Sequence, residues 1–252
     1  MEREAEASQV VTTCKAGILN RMWGVIATIL AIIYTALLAL PAAALSFFQQ
    51  GHLATPVIRC WSWLILRTCG ISIEVEGIEN LDRLKSFVLV SNHKSLFDIL
   101  AVIDLIPREM RFVAKREIKK IPVIGFILGR CGNVVIDRES GGREIRRALE
   151  VMRSGYSICV FAEGHRFNDD RVHEFSEGAA WMGIVSKLPC VPMAISGTMA
   201  IMPRGSKFVS PGRRIRITIG KPIETKELRS GNRVELTRHL EAEVAAAFHP
   251  EI

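Results

Sequence analysis

From Ile71 onward short apolar runs alternate with helical patterns, and that alternation predicts an α/β domain with a mixed, largely parallel sheet flanked by helices. A second observation adds an N-terminal membrane-associated helical element, because no Asp, Glu, Lys or Arg occurs from Met22 to Ile58. A third concerns chemistry. Four consecutive strand runs are each followed by ionisable residues, at the end of an α/β sheet where ligands collect. The 252 residues, 49% apolar and 23% charged, exclude a disordered or collagen-like chain and suffice for one compact domain with an appendage. The expected division is 1–70 for the membrane-anchoring element and 71–252 for the α/β domain. A net charge of +7 favours acidic partners, whether nucleic acid, anionic lipid or a phosphorylated substrate.

The first element is the run Met22 to Leu40, apolar except at Gly, Thr and Tyr positions. About 20 such residues, rising 1.5 Å each, cross a bilayer core of roughly 30 Å. Pro41 is expected to break or bend this helix, so spanning the bilayer and entering one leaflet are both open. A signal peptide fits less well, since a long leader containing Glu2, Glu4 and Glu6 precedes the run. Next, Ala54 to Cys69 puts Val57, Trp61, Leu64 and Ile65 on one helical face, with Arg59 and Arg67 near its ends. Such a helix lies at an interface or packs on the domain. The six cysteines form no CxxC pair, which fits a reducing compartment.

The strands follow at Ile71 to Val75, Phe87 to Val90, Phe112 to Ala114, Val134 to Ile136, Ile158 to Phe161, Val191 to Ile195 and Arg214 to Ile219. Candidate helices are Leu96 to Leu105, Arg143 to Arg153, Ala179 to Lys187 and Val234 to Phe248. In the Arg143 segment Ile145, Ala148, Leu149 and Met152 recur at helical spacing, and Gly155 follows as a stop. After the second strand comes Ser91-Asn92-His93-Lys94-Ser95-Leu96-Phe97-Asp98. Lys115-Arg116-Glu117, Asp137-Arg138 and Glu163-Gly164-His165-Arg166 end the next three.

Two His residues are followed five positions later by Asp: His93 with Asp98, and His165 with Asp170. On a continuous helix that spacing leaves side chains about 140° apart. It works for His93 on a strand-end loop and Asp98 in the first turn of the next helix, with Ser95 as N-cap. His165 and Asp170 have no helix behind them and read as coincidence. The His93–Asp98 pair suits general base catalysis: Asp98 fixes the tautomer and stabilises the imidazolium, while the other ring nitrogen takes a proton. Ser91 or Ser95 as nucleophile is the rival version, but no G-x-S-x-G elbow occurs.

Taken together, four blocks resemble the glycerolipid acyltransferases of the 1-acylglycerol-3-phosphate acyltransferase type. They are Asn92-His93-x4-Asp98; Phe112-Val-Ala-Lys115-Arg-Glu117-Ile with Ile121-Pro-Val-Ile-Gly125 and Gly132-Asn-Val-Val-Ile-Asp137-Arg138; Phe161-Ala-Glu163-Gly164-His-Arg166; and Val191-Pro192-Met-Ala-Ile195. The resemblance implies acyl transfer from acyl-CoA or acyl carrier protein to a lysophospholipid hydroxyl. It implies His93 as base, Asp98 as its orienting partner, and Lys115, Arg138 and Arg166 as phosphate-binding cations. Glu163 and Gly164 would shape the third loop, with backbone amides near Gly164 as oxyanion donors. No metal and no cofactor beyond the acyl donor are implied.

Ala162 and His165 stand where the family has Pro and Thr, and Phe175-Ser-Glu-Gly178 is acidic where a Lys is usual. Lysophosphatidate is the expected acceptor, with another lysophospholipid or a lyso-aminolipid as alternative and a noncatalytic lipid-binding module as a further one. Membrane lipids are the expected partners, with the domain on the cytoplasmic face. Nucleic acid is not expected, because the basic runs lack interleaved aromatics.

Overall fold

The computed structural model describes residues 2–106, 108–115, 126, 129–131, 133–136 and 143–250. Seven strands form one sheet: β1 (Ser72–Glu76), β2 (Val88–Ser91), β3 (Met110–Lys115), β4 (Val134–Ile136), β5 (Ser157–Phe161), β6 (Cys190–Ser196) and β7 (Arg214–Ile219). Their spatial order is β1-β7-β6-β2-β5-β3-β4. Every pairing is parallel except β6 with β7, so the mixed, largely parallel sheet is as expected. The second block's Ile121 to Gly125 stretch, with Arg116, Glu117, Asp137 and Arg138, lies outside the described residues.

Parallel central strands are covered on both faces and therefore read as continuous apolar runs. In β2, side chains alternate across the sheet: Leu89 joins one core with Phe97, Leu100, Met193, Ile195 and Ile217. Val88 and Val90 join the other with Ile158, Val160, Met182 and Leu240. The first core is covered by α1 (Glu2–Leu45), α2 (Thr55–Thr68) and α3 (Phe97–Leu105). The second is covered by α4 (Arg143–Arg153), α5 (Gly178–Ser186) and α7 (Arg233–Ala247), while α6 (Thr198–Ile201) is a single turn after β6. Each fully buried Val, Leu or Ile contributes about 1.5–3 kcal/mol.

Of the break or bend expected at Pro41, the break does not occur in α1. The helix continues to Leu45 with Pro41 inside it; at this last turn the missing N–H removes one bond while the flanking turn persists. Its stretch Gly17–Leu45 is long and apolar enough to cross a membrane. One face is nevertheless fastened to the rest of the molecule. Trp23 Nε1 donates to the Thr68 carbonyl (3.0 Å), Val209 N–H to Thr28 Oγ1 (3.1 Å), and Trp61 Nε1 to Thr35 Oγ1 (2.9 Å). At Gly24 a Cβ would lie 2.4 Å from the Val209 carbonyl oxygen, so a side chain there would push the helix away. The opposite face leaves Ile18, Ile26, Ile29, Ile33, Leu37 and Leu40 exposed. α2 packs on the domain, where Ile65 and Leu66 enter the first core and Ser62 Oγ donates to the Leu100 carbonyl (2.7 Å).

The sheet order decides where chemistry can assemble. β2 lies between β5 and β6, with Ser91 opposite both Phe161 and Met193. The chain therefore leaves three adjacent strands at one level. Gly197 turns it from β6 into α6 with φ 85°, and a Cβ there would meet the Arg214 carbonyl oxygen at 2.3 Å. Gly197→Ala is expected to lose at least about 2 kcal/mol of stability by combining left-handed strain with that collision; urea unfolding measures it, and an unchanged midpoint would refute the steric account.

Candidate active site

The loop after β2 is fixed before its histidine. Asn92 Nδ2 donates to the Ile195 carbonyl (2.8 Å) and Asn92 Oδ1 accepts the Ile195 N–H (2.9 Å), so the side chain imitates a strand partner for β6. His93 follows, its Nδ1 lying 2.8 Å from Asp98 Oδ2. Asp98 sits in the first turn of α3 and is fully buried. The same oxygen accepts the N–H groups of Lys94 (2.7 Å) and Ser95 (2.8 Å), and Oδ1 accepts the Thr198 hydroxyl. A carboxylate offers only acceptors, so Nδ1 carries the proton and the Nε2 lone pair of His93 is left to act as base. The ring stacks on Phe161 with centroids 4.2 Å apart, which fixes its plane.

α3 begins at Phe97 with Leu96 at the N-cap position and no side-chain cap there. Ser95 is therefore not the N-cap expected from the sequence. It sits one residue earlier, accepts the Phe97 N–H at 3.3 Å and donates to the Met202 carbonyl at 2.8 Å. Both serines considered as nucleophiles are fully buried, and Ser91 Oγ faces Asn92 Oδ1. A serine nucleophile has no support from this geometry.

Glu163 joins the loops after β2 and β5. Its Oε2 accepts the His93 N–H and its Oε1 the His173 N–H, both at 3.0 Å. Gly164, at φ 68°, makes the turn that follows. Its own N–H donates to the Phe161 carbonyl at 3.1 Å, so this one amide is engaged within the turn. Lys94, next to the histidine, was assigned nothing by the sequence. It is buried, with Nζ 3.5 Å from Glu163 Oε1 and 3.3 Å from Asp169 Oδ1, and it donates to the Arg171 carbonyl. The sequence offered one unused signal, a lysine inside the block that holds the His–Asp pair.

His165 is exposed and meets Phe167 edge-on. Asp170 is exposed too, and the histidine that organises this loop is His173, which stacks on Phe167 at 3.7 Å and bonds Asp169 at 2.7 Å. Burial raises the Asp169 carboxyl, but hydrogen bonds from His173 and Lys94 and their charges outweigh it and hold the carboxyl below its usual range. Arg166 is half-buried; burial and the neighbouring Arg204 lower its pKa while Asp98 acts in the opposite sense. Lys115 ends β3, and its side chain, like the whole of Arg138, lies outside the described part of the structure. Among the described residues no three His, Cys, Asp or Glu side chains converge as metal ligands would.

Comparison with known proteins gives a consistent family. A family model described as Acyltransferase matches residues 72–196. The chloroplastic 1-acyl-sn-glycerol-3-phosphate acyltransferase of Arabidopsis thaliana is 34% identical over 155 residues, which is 60% of this chain and 43% of that protein. The chain thus spans less than half the length of the plant chloroplast relatives it matches. The 1-acyl-sn-glycerol-3-phosphate acyltransferase alpha of Mus musculus is 26% identical over 202 residues, covering 78% of this chain and 70% of that protein. The crystal structure of a 1-acyl-sn-glycerophosphate (LPA) acyltransferase from Thermotoga maritima superposes with a TM-score of 0.77 at 23% identity, over 90% of this chain and 95% of that one. That likeness establishes the shared fold.

Two outcomes follow from these charges. Lys94→Met leaves Glu163 without its cation and is expected to cost about 3 kcal/mol in urea unfolding, part of which Glu163→Gln restores in the double variant; no recovery would uncouple the two. For Asp169, whose folded pKa is depressed, the contribution is complete above the free carboxylate value of about 3.9 and lost as pH falls through the lower folded value. Protection of the 167–173 amides, taken relative to their intrinsic exchange rates, is therefore expected to fall in acid, and in Asp169→Asn to be low already at pH 6.

Proposed function

We propose that the chain, which carries a match to the Acyltransferase family model, transfers a fatty acyl group from a thioester of coenzyme A or acyl carrier protein to the sn-2 hydroxyl of lysophosphatidate, giving phosphatidate. The observation that carries the reading is the His93–Asp98 pair, with Nδ1 held by a buried carboxylate and Nε2 left as the basic nitrogen. Nε2 takes the proton of the acceptor hydroxyl as its oxygen attacks the thioester carbonyl. The C–S bond then breaks, and the thiolate leaves with the proton returned from the imidazolium. A thiol of pKa near 8.5 leaves readily, so the histidine supplies base catalysis of about 10²–10⁴-fold and little acid help is needed. Asp98 keeps the tautomer and offsets the imidazolium charge. A lipid-binding module has no use for such a base.

Arg166, with Lys115 and Arg138, is assigned to the acceptor phosphate, because guanidinium and ammonium groups from separate loops suit a tetrahedral anion. The exposed apolar face of α1 is assigned to the bilayer. Since Trp23, Thr28 and Thr35 bond α2 and the loop at Val209, an upright spanning helix would carry charged parts of the domain into hydrocarbon. One-leaflet insertion avoids that cost. The catalytic domain is assigned to the cytoplasmic face, which agrees with its free cysteines, four of them buried among the described residues.

Purified protein given both donors and a panel of lysolipid acceptors tests the chemistry. His93→Ala is expected to lose at least about 100-fold in turnover while remaining folded; full turnover would remove His93 as base. Arg166→Ala is expected to raise the acceptor KM with little effect on the donor KM, and the reverse pattern would overturn the phosphate role. In sealed vesicles a membrane-impermeant thiol reagent is expected to reach Gly17→Cys and the exposed Cys60 from the same side, whereas labelling from opposite sides would establish a spanning helix.

A further inference from the structure

Two arginines come together near the His93–Asp98 pair, the Arg204 guanidinium reaching the Arg166 backbone, and only Arg166 belongs to the motif-bearing loop. Arg166 follows the Glu163–Gly164 turn. Arg204 arrives from the loop after α6, which is tied to the catalytic loop twice: Thr198 donates to Asp98, and Ser95 Oγ to the Met202 carbonyl. Arg204 is then clamped in place. Asn168 Nδ2 donates to its carbonyl (2.9 Å) and Asn168 Oδ1 accepts its N–H (2.8 Å), while Arg204 Nη1 reaches the Arg166 carbonyl at 3.4 Å.

Among the described residues no carboxylate forms an ion pair with either guanidinium. The nearest acidic side chain in this loop, Asp169, is engaged with Lys94, Arg171 and His173. Burial and then the charge of Arg204 lower the pKa of Arg166, with Asp98 acting in the opposite sense. A fold that holds two cations close with no ion-paired carboxylate among the described residues is complementary to an anion carrying more than one charge. A phosphate monoester has a second pKa near 6, so it is close to doubly charged at pH 7 and has three terminal oxygens. A phosphodiester has a single charge and two terminal oxygens.

We infer that Arg204 is a specificity-determining residue which, beside Arg166, recognises a doubly charged phosphate monoester and so selects lysophosphatidate over lysolipids whose phosphate is esterified on both sides. Asn168 is its positioning residue. The acyl-acceptor role rests on the reading above, whereas the recognition itself does not require turnover.

The test measures equilibrium binding of lysophosphatidate and of lysophosphatidylglycerol to the full chain in neutral detergent, without acyl donor, beside the acyl-transfer KM for each. Arg204→Gln is expected to weaken monoester binding about tenfold, as loss of a charge-assisted hydrogen bond predicts, and diester binding by no more than about twofold. Arg204→Lys is expected to recover part of the loss, and Asn168→Ala to lie between parent and Arg204→Gln. Arg204 is exposed, so these variants are expected to keep the parental melting temperature. Equal weakening of both lipids, or a monoester preference unchanged in Arg204→Gln, would overturn the assignment. A preference that depends on Arg204 in a protein without transfer to any acceptor would sustain the recognition and sink the acyltransferase reading.

Discussion

The carboxylate of Asp98 is buried in an α/β core and meets four donors, from His93, Lys94, Ser95 and Thr198. An ionised carboxylate out of water is tolerated only when its lone pairs are occupied, and a partly satisfied one would be costly. Meeting that demand draws together the β2 loop, the first turn of α3 and the turn after β6. Two of those donors are backbone amides of the two residues that follow His93, so its loop path and tautomer are set by the same group. The base is therefore a consequence of how a buried charge is satisfied.

A second buried carboxylate repeats the logic one layer out. Glu163 holds the His93 N–H from the far side and the His173 N–H beyond it, with the Lys94 ammonium alongside. The anionic groups are thus internal and hydrogen-bonded, whereas Arg166 is half-buried and Arg204 exposed, neither ion-paired with a carboxylate among the described residues. Charge separation of this kind leaves the histidine a local base and presents net positive charge to what approaches it. The same division accounts for the molecule's overall charge: the apolar excess lies in α1, and part of the basic excess lies at the strand ends.

The strand runs and the His93–Asp98 spacing were legible in the chain, because each depends on residues close in sequence: short continuous apolar runs, a turn, one helical start. Expected and observed strands differ by no more than two residues at either end. Less legible were Lys94, Thr198, His173 and Arg204. Lys94 reads as a solvated lysine until β5 brings Glu163 and Asp169 beside it, and Thr198 lies a hundred residues from the carboxylate it bonds. The expectation of Ser95 as N-cap failed because the residue that starts a helix is decided by the turn it sits in, which composition does not reveal.

What the sequence by itself determined is the alternation of strands and helices, the apolar length of α1 and the pairing of an imidazole with a carboxylate. These follow from periodicity and covalent spacing. Only the tertiary structure decided that β2 lies between β5 and β6, that one face of α1 is bonded along the domain, and that Arg204 stands beside Arg166. Those arrangements depend on which distant groups satisfy each other's hydrogen bonds when water is excluded, and that choice is made by the packed sheet as a whole.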